Sequence, residues 1–403
     1  MKSIRVSAFA THPIQYQVPI WRGLARSIRI ELEVIFETDK SANGYLDQQF
    51  GRTIAWDVPL LSGYAYSALP EERHTGLCRI IKLYDRLTNT INQKRPEVIV
   101  ITAYSDPFSL IALLVAKSSG AGVVMRHEAS DVAIKRTWTK NLLRTIVLRQ
   151  LYQYVDEFAF IGTEARLHLL RHGVPDRKLN RAPYCVDTSF FEGQVRRWTP
   201  LRAELRHALG IGSSGMALVF SGKLIPKKDP ILVIEAISRL PRLVKDRIHF
   251  IVIGDGELKG EIEKIGRLVL GRRLHLLGFL NQTEIGRGYA CGDYLILPSR
   301  EGAGETWGLV VNEALQFGLG VIVSEGVGCG VDLVNEHIGS RFISGDADSL
   351  AEAILAACDA GVAGRGRLSE ECRKSVAEFD SGKAVEGLAK SIYKVARKDG
   401  VII

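Results

Sequence analysis

The arrangement of apolar segments is the feature that most constrains what this 403-residue chain can fold into. Short runs rich in Val, Ile and Phe recur along it, and longer segments with helical periodicity separate them. Runs of this kind are typical of parallel strands that are covered on both faces. Two groups of alternating strands and helices indicate an α/β fold with two doubly wound, Rossmann-like domains facing a cleft. The predicted strands are 5–9, 33–37, 97–102, 122–126 and 157–162, followed by 217–221, 249–254, 274–278, 294–298 and 320–324.

A short polar stretch separates the two groups. Glu192, Gly193, Arg196, Arg197 and Pro200 interrupt the apolar pattern there. We therefore predict one domain over residues 1–195 and a second over 196–380, which fits the usual domain size of about 100–200 residues. Residues 381–403 follow as a separate segment with the pattern of an amphipathic helix. Parallel sheets bind ligands beyond the carboxyl ends of their strands, so we expect the site in the cleft between the domains.

Composition and charge narrow the class of protein. No apolar stretch approaches the roughly 18 residues that span a bilayer, and the first residues lack the pattern of a secretory signal. The six cysteines include no C-x-x-C pair, which favours reduced thiols and a cytoplasmic location. The whole formal charge of +8 lies in residues 1–200, which hold 27 Lys and Arg against 19 Asp and Glu. This half carries no nucleic-acid-binding signature, so we expect a phosphate-bearing substrate or an anionic membrane as its partner, and no nucleic acid.

The most specific segment begins at Glu305, ends at Glu313 and has the sequence E-T-W-G-L-V-V-N-E. It follows a predicted strand and a glycine-containing loop, and we predict a helix that begins near Leu309 and stops at Gly318. The unpaired N–H groups and positive dipole end of such a helix suit a diphosphate. A carboxylate on each side of that site could accept hydrogen bonds from sugar hydroxyl groups. A solvated helix with ordinary surface glutamates would explain either carboxylate alone.

Two glycine-containing turns precede this segment. Residues 220–229, F-S-G-K-L-I-P-K-K-D, place Gly222, Lys223 and Lys228 after a predicted strand. Two flexible cations beside a diphosphate would neutralise a departing nucleotide, although a basic surface loop is the simpler explanation of this turn alone. The second turn, I-G-D-G-E-L-K, has Lys259 where a dinucleotide fingerprint has its third glycine, which disfavours a hydride-transferring oxidoreductase.

Together these motifs resemble the retaining glycosyltransferases of the GT-B fold, family 4 among the group 1 glycosyltransferases, most densely from about residue 215 to 345. The resemblance implies that Glu305 contacts the donor sugar and Glu313 the ribose. It also implies a nucleotide-sugar co-substrate with no further cofactor, no required metal, and a C-terminal helix that crosses back onto the first domain. Lys223 replaces the family's usual Arg, which loses bidentate geometry, and Trp307 replaces Phe. The implied donor-binding residues are Gly222, Lys223, Lys228, Gly254, Phe279, Leu280, Thr306, Trp307, Gly308, Leu309 and Glu313.

The first half of the chain matches the family more thinly. His127 follows a predicted strand where family members often carry a His that faces the donor sugar, so the resemblance implies a catalytic centre of His127 and Glu305. A lone His after a strand is more often structural, and only its place in the family pattern supports the catalytic role. The loop T-H-P-I-Q-Y-Q lacks the glycine-rich turn of many members. We assign its His12, Gln15 and Tyr16 to the acceptor side, with packing against the first helix as the alternative.

Two further patterns have both a structural and a functional interpretation. Asp346 and Asp348 have the D-x-D form that holds a metal in other glycosyltransferases, but their place before a helix favours an N-cap. Residues 135–149 carry five basic residues, no acid and interleaved Leu, Ile and Val. They could rest on anionic lipid at the inner face of a membrane, near a lipid-linked acceptor. A solvated basic face over a buried apolar face explains the pattern equally well.

The sequence thus predicts a retaining, metal-independent hexosyltransferase that uses a UDP-, GDP- or ADP-sugar and a glycan or lipid-linked acceptor. The expected setting is bacterial polysaccharide or envelope-glycan biosynthesis. No residue is evident as a covalent nucleophile. Two alternatives remain: a sugar-nucleotide epimerase of the same fold, for which no acid–base groups can be placed, and a non-catalytic sugar-nucleotide-binding protein.

Overall fold

The computed structural model of the chain describes residues 3–42, 44–47, 52–70, 75–131, 133–134, 136–359 and 365–398. Its strands are β1 Ile4–Ala10, β2 Ile30–Phe36, β3 Tyr45–Asp47, β4 Arg52–Ile54, β5 Ala65–Ala68, β6 Val98–Ile101, β7 Gly122–His127, β8 Glu157–Phe160, β9 Leu179–Arg181, β10 Met216–Ser221, β11 Ile248–Ile253, β12 Leu274–Gly278, β13 Tyr294–Leu297, β14 Gly320–Ser324 and β15 Gly339–Phe342. Its helices are α1 Val18–Ala25, α2 Gly76–Lys94, α3 Pro107–Ser119, α4 Trp138–Gln153, α5 Thr163–Arg171, α6 Thr188–Trp198, α7 Arg202–Ala208, α8 Pro230–Arg239, α9 Arg242–Lys245, α10 Lys259–Leu270, α11 Gln282–Cys291, α12 Leu309–Gln316, α13 Gly330–Leu333, α14 Ala347–Asp359, α15 Arg365–Ala377 and α16 Ser381–Lys398.

The strands form two parallel, doubly wound sheets, with strand orders β5-β2-β1-β6-β7-β8-β9 and β12-β11-β10-β13-β14-β15. In the first sheet Val6 lies beside both Leu32 and Val98. The strand order changes direction between β1 and β6 in one sheet and between β10 and β13 in the other. Ligand sites of open parallel sheets lie at such switch points, so the loops after these four strands are the positions to examine.

All ten predicted strands are present, and the prediction of two doubly wound α/β sheets is confirmed. The strands that the sequence did not indicate are short. Strands β5, β9 and β15 lie at the edges of the two sheets, and β3 pairs only with β4 in a small antiparallel ribbon. Short edge strands do not need the continuous apolar run of a strand buried on both faces.

The polar stretch at 192–200 is not an irregular linker, because most of it belongs to helix α6. The residues that interrupt the apolar pattern lie mainly on the exposed side of this helix, while Phe191 and Trp198 are buried in the core. The proposed domain limit at residues 195 and 196 therefore falls inside a helix, and the limits of the domains remain a prediction.

Helix α16 packs against α1 and against β7, β8 and β9 of the first sheet. Leu388 and Ile392 are fully buried there and share a core with Trp21. A Cβ atom on Gly387 would lie 1.9 Å from the carbonyl oxygen of Arg181, so the helix rests directly on the backbone of β9. The last described segment of the chain is thus part of the core of the first sheet.

Candidate active site between the two sheets

The loops after β10 and β11 pack backbone against backbone. A Cβ atom on Gly254 would lie 1.9 Å from the carbonyl oxygen of Gly222, and one on Gly256 would lie 2.6 Å from that of Leu224. Gly254 and Gly256 also have φ angles of 145° and 151°, which side chains rarely allow. The loop that carries Lys223 is therefore shaped by glycines on the neighbouring turn.

Two lysines and a glutamate form a charged cluster after β10 and β13. Glu305 is 9% exposed, and its Oε2 accepts hydrogen bonds from the Lys228 ammonium and, at 3.0 Å, from the Ser299 hydroxyl. Burial alone would raise the pKa of Glu305, but Lys228, Lys227 and Ser299 outweigh it and hold that pKa below its ordinary value. Lys227 also donates a 3.1 Å hydrogen bond to the carbonyl group of Gly304. The two ammonium groups outnumber the carboxylate, which suits a diphosphate.

Glu313 is on helix α12 and is 1% exposed. Its Oε1 accepts a 3.1 Å hydrogen bond from the hydroxyl group of Tyr16, and its Oε2 accepts a 2.6 Å hydrogen bond from that of Tyr289. Burial raises the pKa of Glu313 to about 7, although the two hydroxyl groups oppose the shift. The carboxyl group therefore changes charge near neutral pH.

The Trp307 side chain is buried in the contact between the two domains. It is 3% exposed, and its ring packs against Tyr184 and Phe379. Its Nε1 donates a 2.8 Å hydrogen bond to Asn312 Oδ1. A Cβ atom on Gly162 of the first domain would lie 2.3 Å from this ring. The tryptophan thus joins the two domains, and only its backbone remains available to a phosphate.

Helix α12 begins at Leu309, as the sequence predicted. Gly308 is the N-cap residue with φ 103°, and a Cβ atom there would lie 2.7 Å from the Leu297 side chain. Thr306 and Leu309 lie on either side of the Trp307–Gly308 pair, and Leu309 is the first helical residue. Because the cap carries no side chain, the first turn keeps the N–H groups and dipole that favour phosphate.

The segment after β12 meets the first domain. The Phe279 ring lies 6.4 Å from that of Trp56, and Leu280 is partly buried beside it in sequence. The backbone N–H of Thr283 donates to Asp57 Oδ2 at 3.1 Å, and its hydroxyl group donates to the same oxygen. Phe279 and Leu280, which were predicted to cradle the nucleotide base, therefore lie where the two domains touch.

His127 ends β7 and is 1% exposed. Its ring stacks between Tyr104 and His168, with centroid distances of 5.6 and 5.1 Å. Burial is the main cause that holds the pKa of His127 well below its ordinary value, and the nearby imidazole and guanidinium side chains lower this pKa further. His127 lines an open cavity of about 910 Å³ that also reaches Thr306, the neighbour of Glu305 in the chain.

The first loop contacts both domains. His12 is exposed, with Nδ1 3.0 Å from the Thr11 hydroxyl. Gln15 and Tyr16 line a cavity of about 760 Å³ together with Thr283 of the second domain. Tyr16, which was assigned to the acceptor side, also reaches the carboxylate that was predicted to bind ribose on the donor side.

The two patterns with alternative interpretations are now distinguished by their surroundings. Asp346 Oδ1 accepts hydrogen bonds from the N–H groups of Asp348 and Ser349 at 2.9 and 3.1 Å, as an N-cap of α14 does. Residues 138–149 fall in helix α4, and Lys135 lies outside the described residues. The buried apolar face considered for this segment is wrong for most of its length, because these side chains are exposed: Trp138, Leu142, Leu143, Ile146 and Val147.

Residues 202–375 match the family model described as "Glycosyl transferases group 1". This segment of the chain is similar to that family. The chain is 28% identical over 255 residues to sulfoquinovosyl transferase SQD2 of Arabidopsis thaliana, covering 62% of this chain and 46% of that protein. It is 27% identical over 247 residues to D-inositol 3-phosphate glycosyltransferase of Geodermatophilus obscurus, covering 58% and 51%. The chain spans about half the length of these curated relatives.

Solved structures share the fold over nearly the whole chain. A glycosyltransferase from Rickettsia africae superposes with a TM-score of 0.73 at 14% identity, covering 99% of this chain and 100% of that one. Anabaena HepE in complex with UDP-glucose superposes with a TM-score of 0.69 at 16% identity, covering 97% and 100%. The chain thus has the GT-B fold that the resemblance implied.

Several contacts of this candidate site had no sequence signal. Tyr289 lies on α11 outside every motif, and Trp56 lies in a segment without periodicity. Lys227 was adjacent to a predicted residue, and only its position beside Gly304 distinguishes it from a surface lysine. Tyr152 is the last residue but one of α4 and approaches His127 across the core.

Proposed function

We propose that this chain transfers a hexose-like sugar from a nucleotide-sugar donor to an acceptor hydroxyl group, with retention of configuration and without a metal. The observation that carries the proposal is the arrangement of the Lys228–Glu305 ion pair and the Glu313 carboxylate around the N-terminus of α12. Cations and a helix N-terminus stabilise a departing diphosphate. Carboxylates accept the hydrogen bonds that sugar hydroxyl groups donate.

In this mechanism Lys223, Lys228 and the backbone of residues 306–309 hold the diphosphate, and Glu313 binds the ribose. Glu305 and His127 orient the sugar. The acceptor hydroxyl group attacks the anomeric carbon from the face that the nucleotide leaves, and its proton passes to the departing phosphate oxygen. Gly222, Gly254, Phe279, Leu280 and Gly308 complete the donor side by backbone and apolar contacts.

Relatives in the comparisons guide the choice of substrates. UDP-glucose is the first donor to test, because HepE was solved in complex with it. GDP- and ADP-sugars follow. We propose a glycan or lipid-linked acceptor in cytoplasmic assembly of a bacterial polysaccharide or envelope glycan, within glycosyltransferase family 4.

The decisive experiment measures donor binding and then acceptor dependence. UDP, GDP and ADP are tested for thermal stabilisation of the wild type, Glu313→Ala and the matched control Glu263→Ala, which changes an exposed residue on α10. A ligand at 100 times its Kd stabilises by roughly 2.7 kcal/mol. We expect one nucleotide to stabilise the wild type and the control but not Glu313→Ala. If none of the three nucleotides stabilises any of these proteins, the proposed donor site is contradicted.

Acceptor dependence then distinguishes the reaction classes. A transferase consumes the donor sugar only when an acceptor hydroxyl is present, whereas an epimerase converts the donor alone. Consumption with a retained anomeric configuration in the product, observed by NMR, supports the proposal. Conversion of the sugar nucleotide without acceptor would replace it with the epimerase alternative.

We also propose that α4 rests on an anionic membrane. What supports this is the exposed fraction of its apolar side chains, 76% for Trp138 and 66% for Leu143, next to Lys140. Apolar side chains with adjacent cations are the composition of an interfacial helix. None of the helices in the described residues has both the length and the hydropathy to cross a bilayer.

Co-sedimentation with vesicles tests this contact. We expect binding to phosphatidylglycerol vesicles that Leu143→Ser weakens and that the control Leu243→Ser, at an exposed site on α9, does not. Equal binding of both variants, or no preference over neutral phosphatidylcholine, would contradict it.

A further inference from the structure

A line of hydrogen-bonded side chains extends behind His127. Its Nε2 lies 2.8 Å from the hydroxyl group of Tyr152, and that hydroxyl lies 2.9 Å from His168 Nε2. His168 Nδ1 lies in turn 2.7 Å from Asp131 Oδ1. The side chains of His127, Tyr152 and His168 are 1%, 3% and 0% exposed. One strand, one loop and two helices thus contribute to a chain of side chains that ends on the predicted catalytic histidine.

The chemistry of these groups gives each hydrogen bond a direction. An ionised carboxylate only accepts, so His168 Nδ1 carries the proton that it donates to Asp131. Arg144 and Arg171 already face the same carboxylate at 3.5 and 3.2 Å. Both guanidinium groups repel a further positive charge on the fully buried His168, which contacts the same carboxylate.

A neutral His168 offers Nε2 as an acceptor, so Tyr152 donates its hydroxyl proton to it. The Tyr152 oxygen then accepts from His127, whose Nε2 must carry a proton. A neutral imidazole has only one N–H, and therefore Nδ1 of His127 keeps a lone pair.

His127, at the end of this chain, lines the cavity that reaches Thr306. His127 Nδ1 is buried and has no hydrogen-bond partner within the described part of the chain. A buried acceptor without a partner is unfavourable, so its presence beside a cavity points to a ligand that supplies the donor.

We propose that Asp131, His168 and Tyr152 are positioning residues that fix His127 as its Nε2–H tautomer, so that Nδ1 accepts a hydrogen bond from a sugar hydroxyl group. This inference rests on the proposed function for the identity of the ligand. A phosphate oxygen could not replace the hydroxyl, because it also only accepts. These hydrogen-bonded side chains thus favour a sugar hydroxyl group over a phosphate oxygen at His127 Nδ1.

A metal site at the same place is disfavoured by the contacts already present. Asp131, His168 and His172 bring ligand atoms within 4.8 Å of one another. However, His172 Nδ1 lies 2.7 Å from the carbonyl oxygen of His168, as a donor does. Two guanidinium groups also lie at the Asp131 carboxylate, and their charge repels a cation.

The test reads the tautomer directly. Long-range ¹H–¹⁵N correlation spectra of ¹⁵N-histidine-labelled full chain distinguish protonated from unprotonated ring nitrogens, and the signals lost in His127→Gln assign His127. We expect the Nε2–H tautomer in the wild type and a mixture of tautomers in Tyr152→Phe. The control Tyr154→Phe changes an exposed ring near the end of the same helix and should leave the spectrum unchanged. An Nδ1–H tautomer in the wild type would overturn the proposal, as would an unchanged tautomer in Tyr152→Phe.

A second variant and a kinetic measurement complete the test. Should Tyr152→Phe fail to fold, Asp131→Asn removes the fixed acceptor of His168 and should also produce a mixture. With a donor in hand, we expect Tyr152→Phe to lower kcat/KM by roughly threefold to tenfold, the effect of one neutral hydrogen bond. The spectra need no turnover, so a chain without transferase activity could still confirm the tautomer. The two proposals can therefore fail separately.

Discussion

The hydroxyl group of Tyr16 donates a 3.1 Å hydrogen bond to Oε1 of Glu313, so a residue of the first domain covers a carboxylate of the second. Tyr289 occupies the other carboxylate oxygen at 2.6 Å. A ribose that uses Glu313 in the proposed way must therefore compete with at least one tyrosine. The first loop and the donor site are thus physically linked.

Removing the Tyr16 hydroxyl should favour nucleotide binding. In Tyr16→Phe, the ribose no longer has to displace the tyrosine hydroxyl group from Oε1 of Glu313. We expect the Kd for the nucleoside diphosphate that stabilises the wild type to fall by roughly twofold to tenfold, the value of one neutral hydrogen bond. Isothermal titration calorimetry at pH 8 measures it. A weaker affinity would instead indicate that Tyr16 contacts the bound nucleotide.

The buried Glu313 should make stability depend on pH. Its folded pKa of about 7 lies above the ordinary value of 4.5, so between these values the folded state binds the proton more tightly. Stability therefore falls as pH rises from about 4.5 to 7, by at most roughly 3 kcal/mol. In Glu313→Gln, this decrease in the free energy of unfolding should be absent.

Urea unfolding of the wild type and Glu313→Gln at pH 5, 6, 7 and 8 provides the measurement. The variant should gain stability relative to the wild type as pH rises, whereas Glu263→Gln should show a constant difference. A constant difference for Glu313→Gln would mean that the carboxyl group titrates normally.

Lys228 should have separate effects on stability and on binding. In Lys228→Gln the buried Glu305 loses its cation, and we expect a loss of up to roughly 3 kcal/mol in the free energy of unfolding. The double variant Lys228→Gln, Glu305→Gln removes both charges and should recover much of that stability. Neither should bind the nucleoside diphosphate like the wild type, because the cation is absent from both.

The matched control for Lys228 is Lys264→Gln, at an exposed position on α10. Thermal melting with and without nucleotide reports both quantities. Full nucleotide stabilisation of the double variant would show that Lys228 does not contact the diphosphate.

The glycine turn after β11 should tolerate no side chain. Gly254→Ala places a Cβ atom 1.9 Å from the Gly222 carbonyl oxygen at a φ of 145°, so the loop before Lys228 has to move. We expect a loss of roughly 1–3 kcal/mol in stability and weaker nucleotide binding. Gly260→Ala on α10 meets open space and should be neutral or slightly stabilising. Equal melting temperatures for the two variants would contradict this account of the loop.

The sequence predicted most of the fold because the information is local. The strands at the two sheet centres are mostly apolar, and the helix at 309–316 ends before Gly318, whose φ of 72° suits glycine. The N-cap at Asp346 also depends only on the next three residues. The short edge strands were missed because tertiary contacts, rather than their own pattern, support them. Helix α6 was missed although Asp187 caps its N-terminus.

By itself, the sequence determined the two doubly wound sheets, the positions of Lys228 and Glu305 in loops after strands, and that of Glu313 on the helix that follows. Only the tertiary structure decided that Trp307 turns into the domain contact, that His127 ends a buried hydrogen-bonded chain, and that the apolar side chains of α4 face outward. The reason is distance along the chain. Tyr16 and Glu313 are 297 positions apart, and no local periodicity records a contact that forms only when two separate sheets pack together.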